Sequence, residues 1–208
     1  MYKNRDYVID DESYFTLDNS DLAGNDMFYS DDINSCSDNI KYKLAEKFAP
    51  KLLVWIAMCP RGASEIYIVP KNLAINQDIY MQECLSKRLL LMLRKHYKNN
   101  NNYIFWPDLA SSHYAKSVQN FLEFHKISYL PKDINAPNCP KARPIEKFWS
   151  EFKRRVYEDN WQAKSIEQLQ TRINGVYSKF GNEIFQKYSE GCHRLLGIIV
   201  KYGLNKKQ

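Results

Sequence analysis

The order of strand-like and helix-like segments is the feature that most constrains the fold. The alternating run VIDDESYFTL (8–17) is typical of a strand, and KLLVWIAMC (51–59) and EIYIV (65–69) are β-rich runs that PRGAS joins into a hairpin. Apolar residues recur at helical spacing over 76–97, before the short apolar strand YIFWP (103–107). An antiparallel opening followed by a helical crossover to a further strand predicts an α/β fold with a mixed sheet.

The second half of the chain continues this order with helices and one brief strand. SSHYAKSVQNFLEFHK (111–126) predicts a helix that begins with serine caps, and ISYLP (127–131) predicts a strand. PIEKFWSEFKRRVYE (144–158) predicts a helix with Pro144 in its first turn, where the missing N–H does no harm. SIEQLQTRINGVYSKF (165–180) predicts a last helix before a basic tail.

Polar segments rich in Asp, Asn, Ser and Pro separate these elements. We expect a loop over 18–39, with a short strand around Met27–Tyr29, and a second loop over 135–144. The chain has 208 residues, of which 44% are apolar, so it is long enough for one domain with a substantial core. We therefore expect a single domain over 1–208, with its core at about residues 6–180.

Apolar runs and cysteines indicate the compartment. No apolar run approaches the roughly 18 residues of a membrane span, and the first residues contain no hydrophobic signal region. The five cysteines are widely spaced and form no CxxC pair, which argues against a zinc knuckle or a disulfide framework and favours structural thiols. These features predict a soluble intracellular protein that does not act at a membrane.

Charge is unevenly distributed along the chain. Residues 1–40 contain 10 acids and 2 bases, whereas the remaining 168 residues contain 14 acids and 28 bases. A strongly basic body is common in proteins that bind a polyanion such as nucleic acid. General solubility charge explains the composition equally well.

The first strand carries a carboxylate on its predicted buried face. A period of two places Ile9, Asp11 and Phe15 on one face, with Asp10 and Glu12 on the other. An unpaired buried charge is costly, so such a group changes protonation, pairs, or binds a metal. Asp11 therefore requires a partner.

Two further acids are candidates for the same site. Asp108 follows the strand YIFWP, at the sheet edge where α/β proteins bind ligands, although an Asp there is also an ordinary helix cap. Glu146 lies in the first turn of a helix and borders its apolar stripe, although the helix dipole alone favours a Glu there. Three oxygen donors that converge would suit Mg²⁺ or Mn²⁺.

Three motifs in this order resemble the catalytic domain of the Tc/mariner superfamily of DDE transposases. DDESYF (10–15) resembles the family's D-E-S motif, and FWPDLASSHYAK (105–116) resembles its D-N-A-x-x-H segment. RPIEKFWSEFKRRV (143–156) resembles the P-I-E-x-x-W-x-x-x-K signature, and VWIAMCPRGASEIYIV (54–69) resembles the central hairpin. The resemblance covers about residues 6–180.

This resemblance implies a ribonuclease H-like fold with a mixed five-stranded sheet and a D-D-E triad of Asp11, Asp108 and Glu146. It further implies two Mg²⁺ or Mn²⁺ ions, cleavage and strand transfer on transposon ends and target DNA, nuclear localisation, and a homodimer as an option. The chain departs from the commoner pattern: Leu109 replaces Asn, 37 residues separate Asp108 from Glu146, and NAPNCPKARPIE replaces S-P-D-L-N-P-I-E. Ten residues precede Asp11, so we expect a catalytic domain without the family's helix-turn-helix units.

Four other residues are candidates for contact with DNA. His113 matches the histidine of the second motif and could orient a carboxylate or contact a phosphate, although a packed helix histidine is an equal alternative. Lys153, Arg154 and Arg155 are predicted to contact DNA backbone, with a solvated helix face as the alternative. Trp149 is assigned to the core. Three nearby acids are considered and rejected as ligands: Asp10, Glu12 and Asp133.

Three functions remain open at this stage. The first is a metal-dependent DNA nuclease and strand-transfer domain, which the intact acid triad favours. The second is a domesticated remnant that retains the fold and binds DNA or a partner without catalysis. The third is an RNA-cleaving hydrolase of the same fold.

Overall fold

The computed structural model describes residues 5–17, 30–36, 50–71, 73–98, 102–135 and 143–190, together with residues 192, 194 and 196. Its sheet contains five strands: β1 (Asp6–Thr16), β2 (Lys51–Cys59), β3 (Gly62–Ala63), β4 (Tyr67–Ile68) and β5 (Tyr103–Trp106). The strands are ordered β3-β2-β1-β5, and β4 also pairs with β2. β1 is antiparallel to β2 and parallel to β5, which confirms the predicted mixed sheet. The expected strand at 127–131 is reduced to one parallel bridge between Tyr129 and Phe105.

Helices cover both faces of this sheet. The first, α1, is continuous through Gln77–Ile79, a π-helical stretch Tyr80–Leu89, and Leu90–His96. The others are α2 (Lys116–Phe124), α3 (Pro144–Val156), α4 (Ile166–Tyr177) and α5 (Asn182–Ser189), with short 3₁₀ turns at Ile33–Ser35, Ser111–Tyr114 and Glu158–Asn160. α5 was not predicted. Among the described helices, none is long and apolar enough to cross a membrane.

Local side-chain chemistry sets the helix starts. The Asn76 side chain accepts hydrogen bonds from the first backbone N–H groups of α1, and Ser165 does the same for α4. Pro144 occupies the first position of α3, as predicted. The predicted serine caps of α2 are wrong, because Ala115 has an extended ψ of 148° that separates the 3₁₀ turn from the helix.

A tight hairpin joins β2 to β3, and its geometry requires glycine. Gly62 has φ +148°, and a Cβ there would lie 2.9 Å from side-chain atoms of His96 and Asn182. The predicted strand 65–69 is shorter than expected, because only Tyr67 and Ile68 pair with β2, and residues 64–66 separate them from β3. The Ser64 hydroxyl accepts a hydrogen bond from the Ala57 N–H at 3.0 Å, in place of a backbone carbonyl.

Two apolar clusters lie on opposite faces of the sheet. One packs α3, α4 and α5 against Ile9, Phe15 and Val54, and it contains the predicted stripe of α3. The other packs α1 and α2 against Val8 and Trp55. Both faces of β1 are therefore covered, which decides the environment of its carboxylates.

Some predictions fall on segments whose structure is not described. These are the loop at 18–29 with its short strand, most of the loop at 135–144, the tail at 197–208, and Cys139. The described cysteines carry free thiols, and Cys59, Cys84 and Cys192 are buried, in agreement with structural thiols.

Candidate active site

The parallel pairing of β1 with β5 brings two of the predicted acids together. Each residue of β1 from Asp6 to Ile9 pairs with the residue 97 positions later, and the last pair is Ile9 with Trp106. Continuing this register places Asp108 opposite Asp11, just beyond the end of β5. Both acids therefore lie at the carboxyl-terminal edge of the shorter strand.

Three carboxylates converge at this edge. One oxygen each from Asp11, Glu12 and Asp108 lie within 4.8 Å of one another, a grouping that could hold a metal ion. Glu12, which its alternate strand position led us to reject as a ligand, therefore lies in this group, whereas its role in metal binding stays untested. The Glu12 Oε1 is buried and forms no hydrogen bond with the described residues.

Asp11 is half-buried and electrostatically strained. Its Oδ2 accepts a hydrogen bond from the Trp149 indole N–H at 3.1 Å, so this tryptophan contacts the site as well as the core to which it was assigned. Burial raises the pKa of Asp11 to about 7; the negative charges of Glu12 and Glu146 add to this effect, and the positive charge of Arg143 opposes it. A cation near Asp11 would stabilise its ionised carboxylate and so lower its pKa.

Asp108 is held by its own loop and by a buried histidine. Its Oδ1 accepts a hydrogen bond from the Ala110 N–H at 2.8 Å and lies 2.5 Å from Nδ1 of His113. Burial acts to raise the pKa of Asp108, but the bond and charge of His113 outweigh it, so that the pKa is lowered. Asp108 thus forms a local turn with Ala110 and faces the cluster; it is not the helix cap offered as the alternative, because the N-cap of the following 3₁₀ turn is Ala110.

His113 lies between two carboxylates. Its Nε2 is 3.6 Å from Glu12 Oε1, its ring stacks on Tyr80 at 3.8 Å between centroids, and its side chain is 1% exposed. Burial acts to lower the pKa of His113, but the contacts with Asp108 and Glu12 outweigh it and raise the pKa to about 10. The prediction that His113 contacts DNA is not supported by this buried position, whereas the alternative that it orients a carboxylate fits its contacts.

Asp10, not Asp11, is the fully buried acid of β1. Its Oδ2 accepts hydrogen bonds from the Tyr80 hydroxyl at 2.6 Å and the Trp55 indole N–H at 3.1 Å, while its Oδ1 has no such partner among the described residues. Burial raises the pKa of Asp10 to about 6, and the positive charge of His113 opposes this. Asp10 lies on the opposite face from Asp11, under α1.

Glu146 is exposed in the first turn of α3 and does not belong to the three-carboxylate group. It is nevertheless close enough for its charge to act on Asp11. In the same turn its backbone N–H donates to the Arg143 carbonyl at 3.3 Å. The structure therefore brings Asp11 and Asp108 together and leaves Glu146 at the border of the site.

The basic run on α3 is partly neutralised within its own helix. Arg154 and Arg155 both bond Glu151, at 2.9 Å and 2.6 Å from their Nε atoms, which matches the alternative of a solvated face better than a free basic patch. Lys153 is half-buried, with its ammonium 5.6 Å from the centre of the Phe15 ring. Contact of these three residues with DNA stays a prediction.

Two residues of the site were not predicted. Arg143 donates from Nη2 to the Asp10 carbonyl at 2.6 Å and from Nη1 to the Pro107 carbonyl at 3.3 Å. Asn135 is buried; it accepts from the Trp106 indole N–H at 2.7 Å and donates to the Pro107 carbonyl at 2.9 Å. The only sequence signal for Arg143 was a cation placed directly before the P-I-E segment.

Comparisons with known proteins show a likeness to solved structures. No family model matches the sequence, and no curated protein matches it. The Mos1 transposase paired-end complex with left transposon end matches 99% of this chain and 57% of that chain, with a TM-score of 0.76 and 16% identity. This chain thus spans little more than half the length of that transposase.

Structures of the isolated domain match over more of their length. The catalytic domain of Mos1 mariner transposase matches 99% of this chain and 85% of that chain, with a TM-score of 0.67 and 16% identity. The same domain with Raltegravir and Mn gives a TM-score of 0.69, 16% identity and coverage of 99% and 86%. The likeness agrees with the resemblance carried by the three motifs. The chain has the ribonuclease H-like fold of the Mos1 mariner transposase catalytic domain, with its mixed five-stranded sheet flanked by helices.

Proposed function

We propose that this chain is a transposase catalytic domain that cleaves DNA phosphodiester bonds with Mg²⁺ or Mn²⁺ and joins the freed 3′-hydroxyl to target DNA. The observation that carries the proposal is the convergence of Asp11 and Asp108, with Glu12, at one sheet edge of a transposase-like fold. We assign catalysis and metal binding to Asp11, Asp108 and Glu146, and add Glu12 as a ligand.

The residues present fit a divalent cation. Carboxylate oxygens are the donors that Mg²⁺ and Mn²⁺ prefer. The Glu12 Oε1 is a buried acceptor with no hydrogen bond among the described residues, and its nearest charged partner is His113 Nε2 at 3.6 Å. Burial is the main cause of the raised pKa of Asp11, and the negative charges of Glu12 and Glu146 add to it. Asp11, Glu12 and Asp108 would hold one ion, and Glu146 would help Asp11 to hold a second. Solved Mos1 catalytic domain structures contain Mn or Mg, which supports the choice of metal.

When bound, the metal supplies Lewis-acid stabilisation of the attacking and leaving oxygens of an in-line displacement. The protein's own residues prepare the ligands. The Trp149 N–H fixes one oxygen of Asp11, and His113 fixes one oxygen of Asp108, so that the other oxygens remain available. Water is the nucleophile for cleavage and the 3′-hydroxyl for joining, without a covalent protein intermediate.

DNA is the proposed partner. The strongly basic composition after residue 40 favours a polyanion, and Mos1 transposase has been solved in complex with a transposon end. Contact of Lys153, Arg154 and Arg155 with the DNA backbone is part of this proposal, although Arg154 and Arg155 also share Glu151. If one copy of the chain processes each transposon end, two ends processed together require two copies, so we propose a homodimer. We propose that it acts in the nucleus.

Cleavage of pre-nicked or transposon-end DNA by the purified chain, with Mn²⁺ or Mg²⁺, tests the proposal. Asp108→Asn, Asp11→Asn and Glu146→Gln should each abolish cleavage, since the metal-binding carboxylates are lost. Asp133→Asn is the matched control, because Asp133 is an exposed acid and should be dispensable. A preference for RNA:DNA hybrids would indicate a ribonuclease instead, and no cleavage with any metal would indicate a non-catalytic remnant.

A further inference from the structure

The backbone ladder between β1 and β5 ends just before the two acids. Its last pair is Ile9 with Trp106, and the next residues along the two chains are Asp10 and Pro107. Proline has no N–H and cannot continue a ladder. No ladder hydrogen bond would therefore join the two strands at Asp10 and Pro107, the residues that precede Asp11 and Asp108.

Arg143 bridges the chains at this point. Its guanidinium donates to the carbonyl of Asp10 at 2.6 Å and to the carbonyl of Pro107 at 3.3 Å. The guanidinium also lies 5.7 Å from the centre of the Trp106 ring. A planar fork of donors suits two acceptors at fixed spacing, which a lysine ammonium does not reproduce.

The same residue connects the bridge to α3. Arg143 immediately precedes Pro144, the first residue of that helix, and its carbonyl accepts the Glu146 N–H at 3.3 Å. One side chain and its own backbone thus link β1, the end of β5 and the helix that carries the third proposed acid.

We propose that Arg143 is a positioning residue that fixes the backbones of Asp11 and Asp108 relative to each other and so sets the spacing of the metal ligands. The metal-binding consequence rests on the proposed function, whereas the bridge between the strands does not. Residues that orient metal ligands typically contribute about 10- to 100-fold to metal affinity.

The charge of Arg143 and its bridge between the strands should affect cation binding in opposite directions, so the two roles can be separated by experiment. Loss of a positive charge near carboxylates would by itself strengthen cation binding. Loss of the bridge would weaken it. Arg143→Lys retains the charge and loses the fork, and Arg143→Gln loses both.

The chain provides a matched control arginine. Arg172 is also half-buried, donates to the carbonyls of Val156 and Arg155 at 3.2 Å and 3.4 Å, and lies 5.3 Å from the Trp161 ring centre. Arg172→Lys therefore removes an equivalent fork at a place remote from the proposed ligands.

The experiment is calorimetric titration of the full chain with MnCl₂, together with hydrogen exchange of peptides that contain Asp11 and Asp108. We expect Arg143→Lys to bind Mn²⁺ about tenfold or more weakly and to exchange faster in these two peptides, with Arg172→Lys unchanged in both measurements. Unchanged binding and exchange in Arg143→Lys would overturn the proposal, as would equal losses in Arg172→Lys. Unchanged binding by Arg143→Lys together with tighter binding by Arg143→Gln would show that only charge acts, and would overturn the proposal.

Failure of the proposed function has a separate signature. If the wild-type chain binds no Mn²⁺, the metal site is refuted, and hydrogen exchange alone then decides the role of Arg143. Faster exchange confined to the Asp11 and Asp108 peptides of Arg143→Lys would support the bridge, and unchanged exchange would refute it.

Discussion

Asp10→Asn should change how the stability of the fold depends on pH. Asp10 is fully buried, and its pKa in the folded protein is raised from 3.8 to about 6. Because the folded state holds this proton more tightly than the unfolded chain, stability falls as pH rises between these two values. The full shift corresponds to about 3 kcal/mol, of which about 2 kcal/mol develops between pH 4.5 and 8.

The asparagine has almost the same shape and no charge. Its amide oxygen can accept from Tyr80 and Trp55 as the Asp10 Oδ2 does. Relative to wild type, the variant should therefore gain about 2 kcal/mol of unfolding free energy between pH 4.5 and 8, whatever its stability at the lower pH.

Urea denaturation of both proteins across this range measures the difference directly. The charge of Asp10 helps to raise the pKa of His113 to about 10, so the variant should also lower the pKa of His113; the comparison therefore stops at pH 8, where this imidazole is still protonated in folded wild type. Parallel stability curves for variant and wild type would refute the argument, because they would mean that Asp10 titrates alike in both states. A variant that loses stability relative to wild type as pH rises would reverse the predicted sign.

Three further outcomes are expected. Gly175→Ala should stabilise the protein by about 0.5–1 kcal/mol in denaturation, because a Cβ there meets no atom within 4 Å inside α4. Gly62→Ala should cost more than about 1 kcal/mol, because φ is +148° and the Cβ would crowd His96. Mn²⁺ affinity should fall up to about tenfold per unit as pH drops below about 7, the pKa of Asp11, with proton release detectable by calorimetry in buffers of different ionisation enthalpy.

Local patterns predicted the elements well where one residue type dominates a segment. The β-rich run 51–59 and the first turn at Pro144 have the predicted bounds because propensity and proline geometry act within a few residues. The buried strand before Asp108 was confirmed for the same reason.

The site was only partly predictable because its chemistry depends on packing. A period of two places Asp10 and Asp11 on opposite faces but cannot say that both faces are covered, so the fully buried acid was misassigned. Glu12 lies near Asp108, which follows β5, and Arg143 hydrogen-bonds the backbones of Asp10 and Pro107 although it is distant from both in sequence. Contacts between residues so far apart in sequence cannot be predicted from local sequence patterns.

The most direct test of the central claim is anomalous diffraction from crystals of this chain soaked in MnCl₂. The account predicts manganese peaks coordinated by Asp11 and Asp108, with one also bound by Glu12 and a second near Glu146, and their loss in Asp108→Asn. Well-ordered crystals without a peak at these carboxylates, at metal concentrations that saturate binding in solution, would contradict it.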